Sequence, residues 1–76
     1  MSTLADYIKN QPPRPMREWA DHFGISRAHL IALVEQDRMP SLPVARRIQE
    51  RTQGAVPIRA WPNFAAIIEA AKDNAA

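Results

Sequence analysis

Seventy-six residues with ten Lys and Arg against eight Asp and Glu, a net charge of +2, 46% hydrophobic and 24% charged, describe one small folded domain and exclude both a second domain and a disordered tail. The absence of cysteine excludes a disulfide framework and a thiolate zinc site, so packing alone must hold a marginal core. No apolar run approaches the roughly 18 residues of a membrane span, and Met1-Ser-Thr-Leu-Ala5 lacks the basic-then-apolar order of a signal peptide, which predicts a cytoplasmic protein.

Ser2 or Thr3 can cap a first helix to about Asn10, with Leu4, Tyr7 and Ile8 facing inward at i, i+3 and i+4. Pro12, Pro13 and Pro15 end it, and Pro15 suits the start of the next helix. Met16, Trp19, Ala20 and Phe23 form one face of a second helix over about 16–23. Gly24 supplies a turn tolerant of positive φ, Ile25 plugs it from inside, and Ser26 caps a third helix over about 27–36 whose buried stripe is Leu30, Leu33 and Val34. Met39-Pro40 and Leu42-Pro43 mark an extended connection. Ser41 is placed to cap a fourth helix that buries Val44, Ala45 and Ile48 and is closed by Gly54. Ala55 to Ala60 reads as extended chain or a loose linker, and Pro62 opens a fifth helix to about Lys72 with Phe64, Ile67, Ile68 and Ala71 on one face. The expected fold is therefore an all-α bundle of about five helices, a single domain over 1–76 with 55–76 as a packing or dimerisation segment.

Two short helices in phase about Gly24, followed by the basic, proline-marked stretch Asp37-Arg-Met-Pro-Ser-Leu-Pro-Val-Ala-Arg-Arg-Ile48, resemble the helix-turn-helix of lambda-repressor-like and Cro-like phage and bacterial regulators. The likeness covers roughly residues 4 to 54. It implies a DNA-binding repressor whose third helix lies in the major groove of double-stranded DNA. Arg27, Ala28, His29 and Ala32 then inherit the base-reading positions, with Ile31 and Glu35 on the same outward face. Arg27 can fork onto guanine, and Ala28 and Ala32 are small enough to meet a thymine methyl. His29 reads equally as a solvated helix residue. Arg14, Arg17, Arg38 and Ser41 are the candidate phosphate contacts. Many such regulators carry glutamine at the start of the second helix; here Met16 stands there, which leaves the phosphate clamp to Arg14 or Arg17.

Eight of the ten basic residues are Arg, the side chain suited to bidentate contact with phosphate or guanine. Arg46, Arg47 and Arg51 either extend the basic footprint or form a solvated helix face; the second is the expectation, and Glu50, four residues after Arg46, can pair with it. Trp61, Phe64, Ile67 and Ile68 either pack on the first helix or form a two-fold interface, and we expect Trp61 in the core and Phe64, Ile67 and Ile68 at a homodimer interface. His22 and His29 have no metal-site or nucleophile spacing, and Gly24 and Gly54 make no phosphate loop, so neither an enzyme, a cofactor nor a small-molecule effector is expected. A second class of reading uses the same scaffold to bind a protein through the apolar strip Ala28, Ile31, Ala32, as an antitoxin, anti-repressor or phage accessory factor.

Overall fold

The computed structural model describes residues 2–73, among which there are helices and no strands: α1 (Leu4–Lys9), α2 (Met16–Phe23), α3 (Arg27–Val34), α4 (Leu42–Arg51), a single 3-10 turn (Ile58–Ala60) and α5 (Pro62–Asp73). None of these helices is long and apolar enough to cross a membrane. The core is Leu4, Trp19, Ala20, Phe23, Leu30, Leu33, Ala45, Ile48, Val56 and Trp61, which takes one or more residues from every element but the 3-10 turn and α5. Stacking of Trp19 on Phe23 at 6.0 Å, with Tyr7 edge-on to Trp19 at 6.0 Å, gives this small core its largest apolar groups.

The helix ends are set by short side chains and left-handed turns. Thr3 Oγ1 accepts from Asp6 N at 3.2 Å and Ser26 Oγ from His29 N at 3.1 Å, each satisfying one of the free amides of a first turn. Ser41 stands at the start of α4 with capping backbone geometry, but its hydroxyl makes no cap bond. Pro43 at the second helical position has no N–H to offer it.

Three helices end alike. In α2, Ile25 N donates to Ala20 O at 3.0 Å and Gly24 N to Asp21 O at 3.2 Å about Gly24 at φ 69°. In α3, Asp37 N reaches Ala32 O at 2.9 Å and Gln36 N reaches Leu33 O at 3.2 Å, with Gln36 at φ 62°. In α4, Gly54 N reaches Gln49 O at 2.8 Å about Gln53 at φ 54°. This paired bonding satisfies two of the last carbonyls of each helix. Two expectations are corrected by it. The third helix stops at Val34 rather than Gln36, because Gln36 adopts the turn, and α4 is closed by Gln53, one residue before Gly54.

Glutamine in the left-handed region carries a strain of about 1–2 kcal/mol that glycine avoids, offset in part by glycine's extra unfolded-state entropy of about 0.5–1 kcal/mol. Gln36→Gly should therefore raise the melting temperature by about 2–8 °C in a thermal circular-dichroism melt. An unchanged or lower Tm would show that the strain at Gln36 does not exceed the entropy cost of glycine.

The segment over 55–60 is not a loose linker. Thr52 is buried, its Oγ1 donating to Ile48 O at 2.8 Å and accepting from Val56 N at 3.1 Å, and Gln49 Oε1 accepts from Ile58 N at 2.9 Å. These bonds fold the chain back so that Val56 and Pro57 are buried and Trp61, 3% exposed, reaches the core.

Beyond Trp61 the chain departs from the bundle. Phe64 packs against the core, but among the described residues α5 lies against the 3-10 turn and no other helix. Of the two alternatives for Trp61, Phe64, Ile67 and Ile68, packing on the first helix is thus limited to Trp61, which is buried in the core as expected. The molecule measures 46 × 20 × 18 Å, and its radius of gyration of 13.0 Å exceeds the roughly 11 Å of a compact chain of this length. Ile67 is left 62% exposed.

Candidate nucleic-acid interface

α2 and α3 are closely packed and joined by three residues, Gly24, Ile25 and Ser26. Burial of Trp19, Ala20, Phe23, Leu30 and Leu33 seats the two helices on each other and turns the opposite face of α3 outward. At the start of that face Arg27 and Ala28 are exposed, and the Ser26 cap fixes the backbone immediately before them.

The other candidates divide. His29, Ile31 and Ala32 are half-buried, so each presents only part of its surface. Glu35 is exposed but lies past the last turn of α3, about 12 Å along the axis from Arg27, so the structure does not bring it together with Arg27 and Ala28. The apolar strip Ala28, Ile31, Ala32 is correspondingly smaller than the sequence suggests, with only Ala28 exposed.

Arg14 and Arg17 flank the start of α2, whose first turn has no side-chain cap. The Arg14 guanidinium lies 4.6 Å from the centre of the Trp19 ring, and its Nε is 3.9 Å from Glu18 Oε2. A cation held over an indole face keeps its outward N–H donors free while losing much of its freedom of movement. Arg38 and Ser41, both exposed, lie in the connection from α3 to α4, and the Ser41 hydroxyl makes no cap bond. Candidate phosphate contacts therefore stand both before and after the α2–α3 pair in the chain.

α4 holds a residue whose role the sequence did not show. Arg47 remains exposed, yet its Nη1 donates to Gly24 O at 3.2 Å and Phe23 O at 3.4 Å, at the end of α2. Nearby, His22 Nε2 is 3.4 Å from Arg51 O. Glu50 forms no ion pair with Arg46 among the described residues. The spacing of a helical face marks Arg47 as outward; only the approach of α4 to α2 reveals what it faces.

On α5, Phe64 is half-buried against the core, Ile68 is half-buried, and Ile67 is exposed. The described residues hold no group of three or more metal-ligating side chains. An open groove of about 380 Å³ runs along Leu42, Pro43, Arg46, Arg47, Glu50 and Arg51 on α4. Comparison with protein-family models, with curated proteins and with solved structures finds no significant match to this chain.

Proposed function

We propose that this chain is a cytoplasmic, sequence-specific DNA-binding protein, a small Cro-like repressor that occupies a pseudo-palindromic operator as a homodimer. The observation that supports this most is the pairing of α2 and α3 about Gly24, with Arg27 and Ala28 exposed on the capped first turn of α3. A helix presented in this way enters a major groove by its N-terminal end, where Arg27 forks onto guanine O6 and N7 and Ala28 lies against the groove wall. The half-buried His29 and Ala32 make secondary contacts, and Glu35 stays outside the groove. Arg14, Arg17, Arg38 and Ser41 bind phosphates and fix the register of the reading helix without reading sequence.

A single reading helix covers too few base pairs for a useful operator, and a second copy supplies the other half-site about 34 Å away. The α5 arm, with Ile67 exposed and Phe64 and Ile68 beside it, is the surface for that second copy. Repression follows from occlusion of a promoter, with control by protein level rather than by an effector.

Selection from a random duplex library at near-physiological salt should enrich an inverted repeat. On that duplex, Arg27→Ala should cost about 1–3 kcal/mol of discrimination, roughly 5- to 150-fold, with the melting temperature unchanged. Equal discrimination by the variant and the parent would remove Arg27 from the reading surface. Failure to enrich any duplex, together with binding insensitive to salt, would favour the protein-interaction reading.

A further inference from the structure

We infer that Arg47 is a positioning residue that latches α4 to the α2–α3 turn and so sets the attitude of the reading helix relative to the phosphate contacts; this rests on the DNA-binding reading above. Among the described residues the backbone of α4 comes close to α2 and to the 3-10 turn but not to α3, which it meets only through the shared core of Leu30, Leu33, Ala45 and Ile48. The close backbone approach that holds α4 to the α2–α3 pair is therefore the one with α2, next to the three residues that lead into α3.

Arg47 sits at that approach. The turn's own backbone bonds run to Ala20 O and Asp21 O and leave the carbonyls of Phe23 and Gly24 free. Arg47 Nη1 reaches both, at 3.4 and 3.2 Å. A guanidinium at this point also meets the negative end of the α2 dipole.

Gly24 makes the seat. Its φ of 69° suits glycine, and a Cβ at this position would stand 2.8 Å from Arg47 Nη1. The glycine thus serves the turn twice, once by its conformation and once by leaving room for a cation from another helix. The next residues are Ile25, half-buried, and Ser26, whose hydroxyl caps α3 immediately before Arg27. Loosening the latch lets the turn, and with it the first turn of α3, shift against α4.

The test compares Arg47→Met and Arg47→Lys with the parent chain in two readouts. The first is binding to the selected duplex and to a scrambled duplex across a salt series. We expect R47M to lose about tenfold in the ratio of the two affinities with an unchanged salt slope, and R47K to lie between, since lysine keeps the charge but lacks the planar fork. Equal losses on both duplexes with a shallower slope would make Arg47 a direct phosphate contact and overturn the proposal. An unchanged ratio with a lowered Tm would overturn it as well, leaving Arg47 a stabilising residue only.

The second readout is amide hydrogen exchange, which needs no DNA. Gly24 and Ile25 should exchange about tenfold faster in R47M while the α1 amides do not change. Unchanged exchange there would overturn the latch. If the parent selects no duplex, the DNA-binding reading falls and the exchange result decides the latch alone. If R47M fails to fold, R47K supplies both readouts.

Discussion

Phe23→Ala should lower the melting temperature by at least about 12 °C, and in a domain of this size it removes most of the cooperative transition. Phe23 is 0% exposed, stacks on Trp19 with an interplanar angle of 15°, and lies 5.1 Å from the His22 ring. Truncation of a buried phenylalanine costs about 3–5 kcal/mol, because the removed ring leaves a cavity that neighbours fill only in part. A chain of 76 residues has roughly 4–11 kcal/mol of total stability to lose. Phe23 also ends α2, which packs on α3, so collapse around the cavity would move the two helices that carry Arg17, Arg27 and Ala28. Thermal melts followed by circular dichroism decide the matter, each kcal/mol being worth about 4–8 °C in a domain this small. A Tm within a few degrees of the parent would mean that Phe23 is not central to the core.

Ile67→Asp should separate the protomers while leaving each one folded. Ile67 is 62% exposed and belongs to no buried cluster, so its replacement costs the isolated chain little. In a dimer the same change buries a carboxylate in an apolar contact, where an unpaired charge is strongly disfavoured. Sedimentation should shift from dimer to monomer with helicity retained. Loss of the second half-site should then weaken operator binding by at least about a hundredfold.

The salt response gives an independent check on the same variant. With Arg14, Arg17 and Arg38 each neutralising one phosphate, a dimer has a log–log slope of about −5, so that raising salt from 50 to 200 mM weakens it roughly a thousandfold. The monomer should show about half that slope. A variant that stays dimeric and binds with the parent's slope would place the interface elsewhere than on α5.

Much of the helical frame was legible in local chemistry. Proline at 12, 13 and 15 could not continue α1, Ser26 and one of Ser2 and Thr3 were placed to cap, and Met16, Trp19, Ala20 and Phe23 repeat at the helical period; the structure follows that chemistry and chooses Thr3. The exposure of Arg27 and Ala28 follows from the same period, since Leu30 and Leu33 occupy the buried side of α3. Where local rules misled, a longer-range or stereochemical partner was responsible. Gln36 and Gln53 took left-handed turns that glycine favours, because the bonds from Asp37 N to Ala32 O and from Gly54 N to Gln49 O require that conformation whatever the side chain.

The residue pattern by itself determined the helices, the α2–turn–α3 pairing and the exposure of Arg27 and Ala28 at the start of α3. These depend on contacts within a few residues, where periodicity, capping and proline stereochemistry are decisive. Only the tertiary structure decided that Thr52 and Gln49 fold residues 55–60 onto the core, that Arg47 crosses to the carbonyls of Phe23 and Gly24, and that α5 leaves the bundle with Ile67 uncovered. Each of these joins groups distant in sequence or on separate elements, or depends on which apolar face finds no neighbour, and helical periodicity assigns a residue to a face without saying what that face meets.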